Sequence, residues 1–348
     1  MFLIREAGPP DFAGVFRLAR ILDSYNLPAD RRYVADLLER SEQSFRGRLP
    51  RVEARYLFVL EALPGARKGP AGGGIVGCSL ILAKHGTPGH PHLWFARETV
   101  TKRSRTLGVE KSHPVLRMGW TEDGPTEVGG LVVLPRYRGI PEQCGLQLSY
   151  VRFLYMAMHQ DRFEGEILVE YRGAMGKGNR SPFWEAVGRL FTGLTYERAD
   201  RLSVTNKEFI QGLMPSEPIY CALLPRSVQN AIGAIHPSAQ GAARLAESIG
   251  FRRLPQIEPF DGGPYYSARQ RDVRLIQRTR TARAYPGGKG GLPARGGRWL
   301  AGTERGGRFR AVLAGGRMSG ERWLMERRGF EALDVKAGDR VYACSISR

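Results

Sequence analysis

The sequence predicts an α/β (α+β) fold in which helices flank a mixed sheet and a small β unit forms the C-terminal end. Three observations lead to this prediction. Strand and helix patterns alternate through the first half of the chain, a glycine-containing apolar strand at 127–133 runs directly into a basic turn and a helix, and two further strand patterns follow residue 307. At 348 residues the chain can bury a large core.

The first quarter of the chain supplies the start of the sheet and two helices. Apolar residues repeat at helical spacing between Phe12 and Ile21, whereas 55–63 and 74–83 are short apolar runs separated by a turn rich in Gly and Pro. In order, the predicted elements are a strand at 2–7, helices at 10–25 and 33–45, and strands at 55–63 and 74–83.

Residues 127–139, EVGGLVVLPRYRG, form the most informative segment. A strand that diverges from its neighbour leaves backbone N–H and C=O groups without ladder partners, so an extended ligand arm can bind there like an added strand. Gly129 and Gly130 would allow such an arm to approach closely. The pattern favours the pantetheine arm of an acyl-CoA. On this segment alone, an ordinary strand-turn-helix unit of an α/β protein is the alternative.

The basic turn after this strand is the predicted site for the phosphates of the same ligand. A helix pattern runs from Glu142 to about Gln160, and the free N–H groups at a helix N-terminus attract anions. Arg136 and Arg138 add positive charge in the turn. Strand, turn and helix together predict acyl transfer.

The second half of the chain continues the alternation of strands and helices. Ser181 is positioned to cap a helix with Pro182 in its first turn, Gly250 ends a later helix, and Gly262–Gly263 predicts a turn. The predicted elements are a strand at 166–173 and helices at 181–191, 206–214, 227–234 and 238–249.

These elements divide the chain into four parts. Residues 1–165 are predicted to form an N-terminal half with the CoA-binding strand and loop, and residues 166–282 the second half of the catalytic domain. Residues 283–310, rich in glycine and arginine, predict a loosely ordered basic linker, and residues 311–348 predict the small β unit.

The net charge of +19 raises the question of nucleic-acid binding. Residues 269–310 hold twelve Lys or Arg against two acidic residues, a net charge of +10, so more than half of the excess lies in one Gly-rich region. Few aromatic side chains interleave there to stack on bases. A solvated basic linker is therefore the preferred interpretation, nucleic acid is not an expected partner, and a basic surface also suits polyanionic acyl-CoA.

The remaining composition predicts a cytoplasmic protein without membrane association. The sequence contains no apolar run long enough to span a bilayer, and its first residues lack the order of a signal peptide. The four cysteines have no metal-site or disulfide spacing, so buried reduced thiols are expected.

Several segments, in their order along the chain, closely resemble the arginine N-succinyltransferase family. The final stretch AGDRVYACSIS is similar to that family's C-terminal β unit, so the resemblance covers nearly the whole chain. The segments are EYRG (170–173), SPFWEAVGRLF (181–191), ERADRLS (197–203), FIQGLMPSEPIY (209–220), AIGAIHP (231–237) and FDGGP (260–264).

The resemblance implies an acyl-CoA N-acyltransferase-like (GNAT-like) fold and transfer of succinyl from succinyl-CoA to the α-amine of L-arginine, the first step of arginine catabolism by the succinyltransferase route. It implies no metal or prosthetic group, with succinyl-CoA as co-substrate, and an oligomer with itself or with a paralogous subunit. Leu131 matches the family's succinyl-CoA-binding position. His236 matches the histidine assigned as proton donor.

The required chemistry agrees with these two roles. Amine attack on a thioester needs an oxyanion stabiliser and a proton for the leaving thiolate. Backbone N–H groups near Leu131 suit the first need, and the imidazole of His236 suits the second. The other histidines are expected in loops or at a helix end without a catalytic role: His85, His90, His92, His113 and His159.

The acceptor site is predicted from charge complementarity. A guanidinium binds carboxylates, for which Glu170, Asp200 and Asp261 are candidates, and an α-carboxylate binds an arginine, for which Arg172 is the candidate. All four lie in or beside family-like segments. The alternative is that Glu170–Arg172 and Arg198–Asp200 are buried structural ion pairs.

The chain departs from the family in the phosphate turn. The family has a glycine two positions before the one matching Gly145, whereas this chain has Gln143, which adopts positive φ less readily. Gly139 is expected to replace part of the lost flexibility. The departure leaves alternatives open: another acyl donor, another amine such as ornithine, or a non-catalytic partner subunit.

Overall fold

The architecture comes from a computed structural model that describes residues 1–22, 26–66, 73–287 and 297–346. The chain divides into two compact units, each built from separate stretches of sequence. Unit one comprises Met1–Ala83, Val128–Gly165 and Arg269–Arg348, and unit two comprises Lys84–Glu127 and Glu166–Ala268. The division has a boundary at 165/166 and none at 282/283, and each unit joins segments distant in sequence.

The bounds of the elements within the described ranges are as follows. The strands are β1 (Phe2–Glu6), β2 (Arg55–Ala62), β3 (Gly74–Leu82), β4 (His92–Ser104), β5 (Val109–Thr121), β6 (Thr126–Val133), β7 (Glu166–Glu170), β8 (Ile219–Tyr220), β9 (Arg252–Ile257), β10 (Pro264–Arg269), β11 (Arg280–Pro286), β12 (Gly297–Arg305), β13 (Arg308–Ser319), β14 (Arg322–Met325) and β15 (Arg340–Ser345). The helices are α1 (Phe12–Leu22), α2 (Arg31–Phe45), α3 (Cys144–Met158), α4 (Pro182–Ala186), α5 (Gly188–Thr192), α6 (Tyr196–Ser203), α7 (Glu208–Leu213), α8 (Arg226–Ala231), α9 (Gln240–Ser248), α10 (Arg274–Arg278) and α11 (Arg327–Leu333).

Unit one is a mixed α/β structure, as the sequence predicts. Its sheet runs β13-β1-β2-β3-β6, and β1 pairs antiparallel with both β2 and β13. Asp30 caps α2 by accepting a hydrogen bond from the Tyr33 N–H. Helix α3 is buried over eleven of its fifteen residues, which explains its nearly uninterrupted apolar sequence.

The C-terminal β unit is a closed ring of five strands. The order β12-β15-β11-β14-β13 is closed by pairing between β12 and β13, and only the β11–β14 pair is parallel among these pairings of described strands. A narrow ring needs small interior side chains. Its core accordingly includes five alanines beside larger side chains such as Trp323 and Met325: Ala282, Ala284, Ala301, Ala314 and Ala343.

This ring corrects the prediction of a linker over 283–310. Strand β11 covers the start of that segment, and β12 and the first residues of β13 cover its end. Residues 288–296 lie outside the described residues. The high glycine and arginine content suggested a solvated connection, but the strands gain stability from pairing with residues near the C-terminus and with β1.

Unit two contains a sheet in the order β7-β10-β9-β4-β5-β8, and the first two residues of β6 pair with β7. Helices α4 to α9 belong to this unit. Ser181 caps α4 by accepting a 3.0 Å hydrogen bond from the Trp184 N–H, as predicted. The predicted helix over 181–191 is interrupted at Val187, where φ is −125° and ψ is −75°.

The core of unit two forms around aromatic side chains. Trp184 stacks on Phe260 with ring centroids 5.0 Å apart, and its indole N–H donates a 2.9 Å hydrogen bond to the Leu194 carbonyl. Phe95 and Phe183 pack edge to face in the same cluster. These contacts bury side chains from two of the family-like segments, 181–191 and 260–264, so these segments contribute to the core of the unit.

Candidate functional site

The predicted donor strand, β6, has an unusual backbone in unit one. Gly130 has φ of 56°, a left-handed conformation that bends the strand, and its carbonyl accepts from the Cys78 thiol. A Cβ at Gly129 would lie 2.4 Å from the Asn26 side-chain nitrogen, so the close approach at Gly129 is to Asn26. Leu131, half-buried, follows this bend.

Pairing between β6 and β7 is short. The register pairs Thr126 with Ile167 and Glu127 with Leu168, and it records no other β6–β7 pair for these fully described strands. On its other side β6 neighbours β3, and the Leu134 N–H donates a 2.9 Å hydrogen bond to the Val76 carbonyl. The β6–β7 ladder is therefore two residue pairs long.

The basic turn follows as a 3₁₀ turn over Pro135–Tyr137. The guanidinium of Arg136 lies 4.9 Å from the Tyr137 ring centroid, and Arg138 Nε donates a 2.9 Å hydrogen bond to the Val133 carbonyl. Both arginines are exposed, as is Gly139, which has φ of 68°. Exposed cations just before a helix suit an anionic ligand.

Gln143 precedes α3 with φ of 55° and ψ of 50°. It thus adopts the left-handed conformation expected of the family's glycine at this position, although a side chain disfavours it. Gly145, in the first turn of α3, does not have a positive φ, and a Cβ added there would meet no atom of the described residues within 4 Å. Neither backbone conformation nor space therefore requires glycine at position 145.

His236 stands at a helix start in unit two. Its backbone N–H donates a 2.8 Å hydrogen bond to the Arg172 carbonyl, and Pro237 begins the following 3₁₀ turn. Its Nδ1 accepts from the Ser238 N–H at 3.3 Å and lies 2.7 Å from the Ser238 hydroxyl oxygen. Because a backbone N–H can only donate, Nδ1 is the bare nitrogen and the neutral ring carries its proton on Nε2.

Buried carboxyls surround the turn after β9, also in unit two. Glu258 Oε2 accepts hydrogen bonds from the N–H groups of Phe260 and Asp261, at 2.7 and 2.8 Å. Asp261 accepts from Gly173 through one oxygen and from Gly263 through the other, both at 2.8 Å. Asp261 therefore joins the end of β7 to the start of β10.

Burial and mutual repulsion both raise the pKa of the carboxyls in this cluster. Burial, followed by the charges of Glu170 and Asp261, raises the pKa of Glu258 well above its usual range. Burial also raises the pKa of Glu170 well above its usual range, with Glu127 and Asp261 as the next causes. The pKa of Asp261 is raised by burial, and its hydrogen bonds to Gly173 and Gly263 oppose the rise.

The other predicted acceptor residues lie in the same unit. Arg172 follows β7, and its positive charge opposes the rise in the pKa of Asp261. Asp200 lies in α6, where its backbone carbonyl accepts a hydrogen bond from the Ser203 hydroxyl. Charge interactions therefore connect all four predicted acceptor residues through this cluster: Glu170, Arg172, Asp200 and Asp261. Unit one contains the predicted donor residues, which lie close together along the chain: Leu131, Arg136, Arg138, Gly139 and Gly145.

Sequence reasoning gave no role to four residues that the structure places in or beside this cluster: Glu127, Glu258, His85 and His92. His92 begins β4 rather than lying in a loop, and His113 is likewise inside β5. His85 Nδ1 lies 2.7 Å from Glu127 Oε2, and both side chains are buried. The available signal was an acidic residue, Glu127, opening an otherwise apolar strand.

Membrane spans and metal clusters are both absent from the described residues. No helix in the described ranges is long and apolar enough to cross a membrane. No group of three or more His, Cys, Asp or Glu side chains in that part of the chain is arranged to hold a metal ion. The four cysteines, all within the described ranges, are buried free thiols.

The chain is similar to known proteins over its whole length. A family model described as arginine N-succinyltransferase beta subunit matches residues 2–275. The arginine N-succinyltransferase of Yersinia pestis (strain Pestoides F) is 33% identical over 353 aligned positions, covering 99% of this chain and 98% of that protein. The Escherichia coli (strain 55989 / EAEC) protein of the same name is 32% identical, with 98% and 96% covered.

A solved structure is similar as well. It is that of arginine/ornithine succinyltransferase subunit AI from Pseudomonas aeruginosa, with a TM-score of 0.84 and 30% sequence identity. The match covers 100% of this chain and 99% of that one.

Proposed function

The chain belongs to the arginine N-succinyltransferase family, and from this membership we propose that it transfers succinyl from succinyl-CoA to the α-amine of L-arginine. The family activity makes the chain an acyltransferase. The observation that carries the proposal is the geometry of His236, whose proton is on Nε2 and free of the Nδ1 contacts with Ser238. In its imidazolium form, with the Ser238 hydroxyl oxygen accepting from Nδ1–H, this ring can give its Nε2 proton to the leaving thiolate, and the proton lost by the attacking amine then restores the imidazolium.

The donor is proposed to bind along β6 and the turn that follows it, in a GNAT-like manner. The bend of β6 at Gly130 supports binding of an extended pantetheine arm at Leu131, and backbone N–H groups there suit the thioester oxygen. Arg136, Arg138 and the start of α3, with Gly139 and Gly145, would hold the phosphates.

The acceptor is proposed to bind in unit two. Glu170 is a suitable guanidinium partner because it is half-buried and electrostatically linked to several other acids. Asp261 has both oxygens engaged by backbone N–H groups, so its contribution to a bound cation is one of charge. Arg172 suits the α-carboxylate, and Asp200 adds negative charge.

Direct attack of the amine is favoured over an acyl-cysteine intermediate. Burial raises the pKa of Cys144 to about 12, so this thiol stays protonated at neutral pH. Burial also raises the pKa of Cys78, Cys221 and Cys344. A protonated, buried thiol is a poor nucleophile. The free thiols also support a cytoplasmic location for this step of arginine catabolism.

Ornithine is the second candidate acceptor, because the similar structure from Pseudomonas aeruginosa is named an arginine/ornithine succinyltransferase subunit. The same name, and the family description as a beta subunit, support an oligomer with itself or with a paralogous chain.

The test is release of CoA thiol from succinyl-CoA and from acetyl-CoA, each with L-arginine, L-ornithine and L-lysine. We expect release with succinyl-CoA and arginine to exceed every other pair. Faster release with ornithine would assign the second acceptor. No release with any pair, from protein with a cooperative unfolding transition, would refute catalysis and favour a non-catalytic partner subunit.

A further inference from the structure

A chain of four buried polar side chains crosses unit two, here called the polar stripe: Glu127, His85, His92 and Tyr265. Glu127 Oε2 lies 2.7 Å from His85 Nδ1, the rings of His85 and His92 have centroids 4.8 Å apart, and those of His92 and Tyr265 are 5.0 Å apart. The four residues are between 1% and 7% exposed. Each member contacts the next, although they come from separate parts of the sequence.

The stripe lies beside the acidic cluster. Glu127 pairs in register with Leu168, and side chains alternate along a strand, so Glu170 projects from the same face as Leu168 and Glu127. Glu127 is accordingly among the charges that raise the pKa of Glu170, whereas Lys207 opposes the rise. This part of unit two carries more buried acids than buried bases and therefore favours a cationic ligand.

His92 provides a separate indication of a ligand. It is 4% exposed, and its Nδ1 has no hydrogen-bond partner among the described residues. Burial, then the nearby His85 and Lys207, lowers the pKa of His92 well below its usual range, so the ring is neutral. Leaving such a buried polar atom unsatisfied destabilises the fold, and a hydrogen bond donated by a ligand would remove that cost.

We propose that the polar stripe receives a cationic N–H group of the amino-acid acceptor, with His92 Nδ1 accepting one of its hydrogen bonds and the Glu127 carboxylate balancing its charge. His85 holds Glu127 in place, and Tyr265 holds the His92 ring. The proposal rests on the proposed function in taking a cationic amino acid as acceptor. Both the guanidinium and the α-ammonium of arginine have this chemistry.

The test compares two variants with matched controls. Glu127→Gln removes the charge and keeps an oxygen for His85, and His92→Phe removes both ring nitrogens while keeping a ring against Tyr265. The controls are Glu98→Gln, at an exposed ion pair with Arg117, and His113→Phe on β5. Calorimetry measures the Kd of L-arginine, and CoA release measures the KM of each substrate.

We expect both variants to weaken arginine binding at least tenfold, with the KM of the acyl donor within twofold of wild type and both controls unchanged. Arginine affinity within twofold of wild type in Glu127→Gln would overturn the proposal. If His92→Phe does not fold, Glu127→Gln decides alone. Absence of measurable arginine binding to the wild-type chain would also overturn it.

Competition identifies which end of arginine the stripe binds. Guanidinium ion and methylammonium ion, each at millimolar concentration, are tested against L-arginine. If one of these ions competes with arginine for the wild-type chain but not for Glu127→Gln, the stripe binds the corresponding group of arginine. If both ions compete equally well in the variant, the polar stripe is not the site that binds them. The two proposals can fail separately. If the chain releases no CoA but binds arginine in a manner that depends on Glu127, the proposed function is rejected and this inference still holds.

Discussion

Arg298 Nη1 donates a 3.0 Å hydrogen bond to the side-chain oxygen of Gln143, the residue immediately before α3. The two residues come from segments 155 positions apart, and both lie in unit one. Gln143 thereby keeps a defined side-chain position in a backbone conformation that glycine would adopt more easily. The contact also brings a guanidinium to the start of the helix proposed to bind the phosphates of CoA.

The left-handed backbone at Gln143 predicts an unusual order of stability among its variants. Gln143→Gly and Gln143→Ala both remove the bond to Arg298, but only alanine keeps the strain of a Cβ at positive φ. We expect the glycine variant to have the larger free energy of unfolding, by about 1 kcal/mol. Urea denaturation measures this. At Gly145, where φ is not positive, alanine should instead be the more stable choice, and equal stability of the two Gln143 variants would contradict the argument.

Loss of Arg138 should weaken CoA binding. Its exposed guanidinium lies in the turn before α3, and a charge-assisted contact to phosphate is worth about 1.5–3 kcal/mol. We expect Arg138→Ala to raise the Kd of CoA roughly tenfold, measured by calorimetry, and to leave pantetheine binding unchanged because pantetheine lacks phosphates. An unaltered Kd for CoA would move the phosphate site elsewhere. Arg103→Ala, at an exposed ion pair in unit two, is the control.

Removal of the His236 ring should lower kcat without unfolding the chain. The side chain is only half-buried, and a positioned proton donor contributes about 10²–10⁴-fold to rate. We expect His236→Ala to fall in this range. Ser238→Ala keeps the backbone N–H that fixes the tautomer, so a loss of only a few fold is expected. Unchanged turnover in His236→Ala would remove this residue from the mechanism.

Asp261 should stabilise the fold through the hydrogen bonds that its carboxylate accepts, in addition to any effect of its charge. Its two oxygens accept from Gly173 and Gly263, and asparagine can accept with only one of its terminal atoms. We expect Asp261→Asn to lower the free energy of unfolding by about 1–3 kcal/mol. Chemical denaturation followed by tryptophan fluorescence tests this, with the exposed Asp36→Asn as control. A difference below about 0.5 kcal/mol would indicate that the two bonds contribute little.

The raised pKa of Glu258 predicts a pH-dependent effect of substitution. A carboxyl whose folded pKa exceeds its unfolded value of about 4.5 stabilises the fold fully at acidic pH and loses that contribution as pH rises toward the folded pKa. Glu258→Gln keeps an acceptor for Phe260 and Asp261 but cannot ionise. It should therefore be more favourable, relative to wild type, at pH 8 than at pH 5. Urea midpoints at the two pH values measure this, and an equal effect at both would contradict it.

The sequence by itself determined the elements with strong local signals. Ser181 and Pro182 marked a helix start because a capping hydroxyl and a proline without an N–H suit those positions. The glycine-containing strand and basic turn at 127–139 predict a donor segment, and the family segments predict His236 as proton donor, and both stay predictions. These signals depend on neighbouring residues and are readable without the rest of the fold.

Only the tertiary structure decided what depends on pairing between distant segments. Residues 297–310 look like a linker in composition but form strands, because their backbone groups pair with residues near the C-terminus and Ala301 fits the narrow ring. No local sequence pattern links His85, His92 and Glu127. These side chains come into contact only because the fold brings their segments together. Burial and neighbouring charge lower the pKa of His92 at this meeting point, and neither is encoded in the spacing of residues along the chain.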